Sequence, residues 1–420
     1  MSEPRIQAVK GARDILPDEV GAWHRIEAAA RELFPRYGYR EIRTPIFEET
    51  ELFARSIGTE TDIVSKEMYT FEDQGGASLT LRPEATAGIV RAVIENNLAA
   101  NDPAPKFYAV GPMFRRERPQ KGRYRQFHQV DVEAFGMSRP SIDAEIIEVS
   151  LAYLEACGLA DRELVLNSVG DGNCRPAYVE ILRAALRKEA GRLCADCQRR
   201  TETNPLRVLD CKVPEDQPII DALPRISDHL CPECRDHFAE VRRELDLLGI
   251  RYRLDHRLVR GLDYYTRTTF EVTSGELGSQ NSVLGGGRYD GLVKELGGPD
   301  LTGIGFALGM ERLVMLLPNG ADERRCDVFL APLVPEALDP ALLLQRDLRR
   351  AGLRVLLDHE GRGLKSQMKK ADKLGARFVA IRGEDERAKD VWVVRDMAGS
   401  SQEEVGGRDV ARYLEGKLRG

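Results

Sequence analysis

Two common devices for holding a nucleotide are missing from this sequence of 420 residues. It has no GxxxxGK[ST] phosphate loop, and no GxGxxG placed between a strand and a helix. Any nucleotide it uses must be held by side chains. Arginines are the candidates, because a guanidinium fork grips phosphate oxygens bidentately and keeps its charge. No run approaches ~18 consecutive apolar residues, so no helical membrane span is expected. The opening MSEPRIQAVKGARDILP lacks the apolar core of an export signal, and a cytoplasmic location is expected. A large positive charge is absent too. With a formal net charge of −6, any nucleic acid must be gripped by local basic patches.

What is present is globular in character. The residues are 42% hydrophobic and 31% charged, too apolar for a disordered chain, and the length suits two or three domains with a sizeable core. Eight cysteines in a chain read as cytosolic suit free thiols or metal ligands better than disulfides.

The most informative stretch runs from Met113 to Phe135, MFRRERPQKGRYRQFHQVDVEAF. It reads as two extended segments joined by a basic loop. On the first, Arg115 and Glu117 stand two residues apart and would share a face. On the second, Gln129, Asp131 and Glu133 share one face while Val130, Val132 and Ala134 take the other. An antiparallel sheet with an open polar face and a packed apolar face fits. The loop from Arg118 to Arg125 carries four cations, which suits a polyanion arriving from solvent, although a solvated turn would look the same.

Elsewhere, 22–37 has helical spacing, with Trp23, Ile26, Ala30 and Leu33 on one stripe and Gly38 as the stop. YREIRTPIFEE follows as an extended segment in which Pro45 implies an edge strand or a subunit boundary. Residues 78–82 read as a strand, and 83–96 as a helix with Pro83 in its first turn. A helix at 140–157 precedes the strand ELVLNSVGD. The region 171–250, rich in Arg, Glu and Cys, reads as a mainly helical insertion. Strand-like patterning returns at 251–273, and GIGFALGMERLVMLL (303–317) reads as a strand leading into a helix. After a linker at 318–325, the segments DVFLAPL, LRVLLD, RFVAIRG and DVWVVRD alternate with helices at 336–351 and 363–375. That pattern marks a small α/β domain over 326–420.

These segments together resemble the histidyl-tRNA synthetase family of class II aminoacyl-tRNA synthetases. YREIRTPIFEE, the 113–135 hairpin and GIGFALGMERL resemble the three class motifs in order. TLRPEATAGIVRA (80–92), LVRGLDYYTRT (258–268) and GGGRYDGL (285–292) resemble the segments that mark the histidine-specific member. The resemblance implies an α+β fold: a six- or seven-stranded antiparallel sheet with flanking helices in a catalytic domain over 1–325, a helical insertion over 171–250, and a C-terminal α/β anticodon-binding domain over 326–420. It implies a homodimer, with L-histidine, ATP and tRNA(His) as partners and Mg2+ as cofactor. The reaction would form histidyl-adenylate and then transfer histidine to the tRNA.

By motif position, Arg115 and Arg260 would bracket the α-phosphate as catalytic residues, and Arg312 would hold the γ-phosphate. Glu117 would meet the adenine side, and Arg123 would join the ATP site. Glu133 and Tyr264, with Tyr265 beside them, would offer the imidazole one acceptor and one hydroxyl partner. Glu84, Thr86 and Gln129 would hold the α-ammonium group. Arg118, Gln120 and Arg123 would touch the tRNA acceptor end. GGGR (285–288) would supply backbone freedom, and taken alone reads as a tight turn. Lys365, Lys369, Lys370 and Lys373 could meet RNA phosphates, or simply form a solvated helix face.

Inside the insertion, CADC (194–197) and CPEC (231–234) form two thiolate hooks with Cys211 between them. Cys194, Cys197, Cys231 and Cys234 suit one tetrahedral structural Zn2+, although the gap between the pairs is longer than the usual ~15–20 residues, and free thiols are the alternative. The resemblance implies no such metal, which would be a local feature. Cys157, Cys174 and Cys326 read as packing residues. Two other functions stay open: the regulatory subunit of ATP phosphoribosyltransferase, which resembles the same core without catalysis, and a class II synthetase for another amino acid.

Overall fold

The computed structural model describes residues 6–58, 61–100, 102–120, 122–317, 326–399 and 401–419. The segment read as a linker, 318–325, lies outside them. The chain divides into two compact units, Met1–Gly320 and Ala321–Gly420.

In the first unit the described strands are β1 (Arg40–Glu41), β2 (Phe47–Glu49), β3 (Tyr69–Glu72), β4 (Ser78–Leu81), β5 (Lys106–Phe114), β6 (Gln126–Phe135), β7 (Glu163–Ser168), β8 (Arg253–Leu254), β9 (Thr266–Thr273), β10 (Ser282–Arg288) and β11 (Gly303–Gly309). Eight of them form one sheet in the order β1-β5-β6-β11-β10-β9-β7-β8. The six central strands pair antiparallel, while the two-residue strands β1 and β8 add parallel at the edges. The sheet is thus wider than the six or seven strands expected, by edge strands too short to show alternation. YREIRTPIFEE does not form one extended segment. Its two ends join different sheets, β2 lying at the edge of a three-stranded sheet ordered β2-β4-β3, with Pro45 between them.

The alternation of β6 sorts its side chains to two faces. Val130, Val132 and Ala134 enter a core with Ile304, Phe306 and Leu308 of β11, against Trp23, Ile26 and Ala30 of the helix Pro17–Leu33 and Ile146 and Ile147 of the helix Pro140–Ala156. Pro17 in the first turn starts that first helix earlier than its apolar stripe suggests, and Gly38, at φ 83°, follows the 3-10 turn that ends it. Gln129, Asp131 and Glu133 take the opposite face. That face is not open as expected: all three are buried.

The insertion is mainly helical, with Arg175–Lys188, Ala195–Thr203, Gln217–Asp221 and Pro232–Leu247. Its last helix returns to the large sheet, where Val241 and Leu245 join the same apolar cluster. GGGR is not a turn but part of the central strand β10. Arg288 there is fully buried, bonded to Asp143 and Asp290.

The second unit holds β12 (Val328–Pro332), β13 (Val355–Leu357), β14 (Phe378–Arg382), β15 (Val391–Asp396) and β16 (Gln402–Gly406), ordered β13-β12-β14-β15-β16. β12 runs parallel to both neighbours, whereas β14, β15 and β16 are antiparallel. The helices Leu338–Arg350 and Leu364–Lys373 fall where expected, and Glu384–Ala388 and Val410–Arg419 follow them. On the lysine-bearing helix Lys365, Lys369 and Lys373 are exposed. Lys370 is half-buried against Asp358 and the Phe329 ring, which ties it to the fold.

Candidate active site

The polar face of β6, β10 and β11 forms the floor of a cavity of about 490 Å³. Glu84, Thr86, Arg115, Glu117, Arg123, Gln129, Glu133, Arg260, Tyr264, Tyr265 and Arg312 all line it. Three arginines from distant parts of the sequence therefore converge on one hollow. Arg118 and Gln120 do not reach it. Both are exposed on the loop, whose tip is closed by reciprocal backbone bonds between Gln120 and Arg123.

At one end of the cavity lie Glu133, Tyr264, Tyr265 and Tyr289. Glu133 on β6 is buried; Thr86 Oγ1 donates to its Oε1 at 2.6 Å, and the Tyr289 hydroxyl donates to Oε2. Burial pushes the Glu133 carboxyl up to about 8, against those two bonds, which pull it down. Directly across the ladder stands Gly305, where a Cβ would lie 1.8 Å from Glu133 Oε2; only glycine leaves the carboxylate its place. Tyr264 and Tyr265 pack at 4.8 Å between ring centres, and Tyr264 meets Tyr289 edge-on at 5.6 Å.

Glu84 organises the helix Thr86–Glu95. Its carboxylate accepts the backbone N–H of Thr86 at 2.9 Å and of Ala87 at 2.8 Å, two of the amides a helix start leaves orphaned. Pro83 lies before this helix rather than in its first turn. Its carbonyl instead receives Arg115 Nε at 2.8 Å, with the guanidinium over the Phe127 ring. Gln129 Oε1 is buried without a hydrogen-bond partner.

At the other end, Arg260 Nη1 is held by Glu271 Oε2 at 2.6 Å. Its guanidinium lies on bare backbone: a Cβ at Gly285, the residue opposite Glu271, would stand 2.3 Å from it. The glycines of β10 thus give room for an arginine rather than flexibility. Arg123 Nη1 donates to Glu117 at 3.0 Å, and Arg312 Nη1 to the Ser282 carbonyl at 2.7 Å. Burial, then the nearby Arg123, lowers the Arg312 pKa, against Glu117 and Glu271, which raise it.

Three residues escaped the sequence reading. Tyr289 sits in the GGGRYDGL segment, whose glycines drew the attention. Glu271 is an inward position of β9, recognisable only once its register with Gly285 is known. Asp131 lay on the right face of β6, yet nothing in the sequence shows that both its oxygens are buried without partners. Burial, then Glu133 and Glu84, pushes its carboxyl well above the usual range.

The cysteines do not gather as expected. Cys194 and Cys197 meet Cys211 and Asp216, whereas Cys231 and Cys234 meet Cys174 and Asp171. The four hook thiols therefore form no single site, and Cys174, buried as a packing residue would be, lies beside the second pair.

The histidyl-tRNA synthetase family model matches residues 11–313, and an anticodon-binding domain model matches 327–417. A histidine–tRNA ligase from Solibacter usitatus is 54% identical over 411 residues, covering 98% of this chain and 99% of that protein. One from Koribacter versatilis is 53% identical, covering 97% and 96%. The crystal structure of apo histidyl-tRNA synthetase from S. aureus superposes with a TM-score of 0.81 at 39% identity, covering 98% of this chain and all of that one. A Bacillus halodurans structure described as an ATP phosphoribosyltransferase regulatory subunit/histidyl-tRNA synthetase shares the fold at 23% identity and a TM-score of 0.66.

Proposed function

The chain belongs to the histidyl-tRNA synthetase family, and from that premise we propose which residues perform its reaction. It is a class II aminoacyl-tRNA synthetase that uses ATP to join histidine to tRNA(His) by way of histidyl-adenylate. The observation that carries the assignment is the meeting of Arg115, Arg260 and Arg312 in the cavity that also contains Glu133 and Tyr264.

Neutral imidazole has one donor and one acceptor. Glu133 takes the N–H, and the Tyr264 hydroxyl serves the other nitrogen. Glu84, Thr86 and Gln129 hold the α-ammonium group, for which the unpartnered Gln129 Oε1 is a ready acceptor. An apolar amino acid would strand these buried groups, which is a strong basis for rejecting it. The histidine carboxylate attacks the α-phosphorus, and the negative charge that spreads over that phosphate falls between Arg115 and Arg260. Both are already oriented, Arg115 by the Pro83 carbonyl and Arg260 by Glu271 and Gly285, so little reorganisation is left for the moment of reaction. Arg312 holds the far phosphate, and Glu117 with Arg123 the adenine side. Mg2+ takes oxygen ligands and would neutralise the departing pyrophosphate; Glu271 offers a carboxylate on this wall, and the phosphates would supply most of the shell.

Residues 326–420 are the proposed anticodon-binding domain and 1–325 the catalytic domain, including the 171–250 insertion. Arg118 and Gln120, exposed on the loop beside the cavity, are placed at the tRNA acceptor end. A homodimer joined near Pro45 fits the exposure of Ile46 and Phe47, and a cytoplasmic location belongs to the same reading. ATP–pyrophosphate exchange with each amino acid in turn tests the assignment: histidine alone should support it. No exchange would favour the regulatory subunit, and exchange driven by another amino acid would favour a different class II synthetase.

A further inference from the structure

Both cysteine hooks are built alike. Cys194 and Cys231 are the extended residues that precede the helices Ala195–Thr203 and Pro232–Leu247 (φ −62°, ψ 157° and φ −63°, ψ 161°). Cys197 and Cys234 sit three residues on, within the first turn. In each hook both thiols therefore lie at a helix N-terminus, brought to one side of the first turn.

Each hook then meets a cysteine and an aspartate from another segment. In the first cluster Cys194 Sγ lies 4.0 Å from Cys211 Sγ, Cys211 Sγ is 3.3 Å from Asp216 Oδ2, and the Cys194 amide donates to Asp216 Oδ1 at 3.0 Å. In the second, Asp171 Oδ1 is 3.7 Å from Cys174 Sγ and 3.9 Å from Cys231 Sγ. Within each cluster the four candidate ligand atoms all lie within 4.8 Å of one another. Around zinc, with Zn–S near 2.3 Å, tetrahedral neighbours stand roughly 3.8 Å apart, so each set needs only a small contraction.

The charge of the first cluster gives an independent reason. Asp216 is fully buried, yet among the described residues its partners are thiols and a backbone amide, with no lysine, arginine or histidine within ion-pair distance. A buried carboxylate without a counter-charge is costly, and a cation held by the surrounding thiolates would supply it. The second cluster has Arg267 at 3.4 Å from Asp171 as partial compensation.

We propose that the insertion binds two structural Zn2+ ions, one at Cys194, Cys197, Cys211 and Asp216, the other at Cys174, Cys231, Cys234 and Asp171. The second site fastens the loop after β7, where the insertion begins, to the helix by which it returns to the core. The first braces the segment bearing Arg207 and Lys212, which line the cavity mouth, Arg207 donating to the Gly261 carbonyl beside Arg260.

Metal analysis of the full-length protein, purified reduced and without chelator, tests this directly. Two zinc per chain are expected. Cys211→Ser and Cys174→Ser should each leave one, the double variant none, and Cys157→Ser both. A single zinc indifferent to Cys174→Ser and Cys211→Ser would mean the hooks share one ion, and would overturn the proposal. So would zinc-free wild-type protein, with its thiols either freely titratable or oxidised to disulfides; this reading needs no variant to fold.

Discussion

Replacing Gly285 by alanine would put a methyl group 2.3 Å from the Arg260 guanidinium, whose atoms are the nearest it would meet. Arg260 would swing off Glu271, and the charge proposed to stabilise the reacting phosphate would move with it. Adenylate formation should therefore fall at least tenfold in Gly285→Ala, with the thermal midpoint little changed; a variant of normal rate would show that Arg260 works from elsewhere. Glu133 gives a prediction in pH. Its folded pKa of about 8 lies above the ordinary ~4.5 of an unfolded glutamate, so the folded state binds the proton more tightly. The stability this proton contributes is full below pH ~4.5 and lost as pH rises through about 8. Thermal midpoints of the ligand-free protein should fall over that window, and Glu133→Gln, which resembles the protonated acid, should flatten part of the fall. Glu84 and Asp131 are raised by burial as well and retain the remainder. An identical slope in wild type and variant would remove Glu133 from the titration.

Between elements, a buried electrostatic joint ties the helix Pro140–Ala156 to β10 and the helix Pro232–Leu247. Asp143 is fully buried; Arg288 grips its carboxylate, and His237 Nε2 lies 3.0 Å from Oδ1. Burial opposes ionisation of Asp143, but the His237 and Arg288 interactions outweigh it and hold the carboxyl below its usual range. Asp143→Ala should destabilise by roughly 3–5 kcal/mol in denaturant titration, because it leaves the buried Arg288 with only one of its two carboxylate partners, Asp290. None of this joint showed in the sequence, where Arg288 stood in an apparent turn. The β5–β6 hairpin was legible, since the alternation from Gln129 to Ala134 leaves one register that buries Val130, Val132 and Ala134. β16 was not, because QEEVG is exposed except at Val405 and carries no apolar signal. Motif position picked out Arg115, Arg260, Arg312, Glu133 and Tyr264, which the fold brings to one cavity. Their supports, Pro83, Glu271, Gly285 and Tyr289, depend on which strands lie side by side. The cysteines show the same limit: sequence pairs 194 with 197 and 231 with 234, and only the fold supplies the third thiol of each cluster.

At the scale of the chain, each unit has cores of its own. Val328, Leu330, Leu348 and Trp392 centre one in the second unit, and Trp23, Val132, Ile147 and Phe306 one in the first. The chemistry proposed for the cavity draws every residue from the first unit. Ending the chain after residue 325 should leave histidine-dependent pyrophosphate exchange within about tenfold of the full chain while sharply reducing transfer to tRNA(His); equal loss of both would show that the adenylate site needs the second unit. The most direct measurement is single-turnover adenylate formation by Arg260→Ala at saturating ATP and histidine. A fall of about 10²–10³, with histidine affinity unchanged, is what a preorganised charge acting on the transition state predicts. A rate close to that of the unaltered protein would contradict the account.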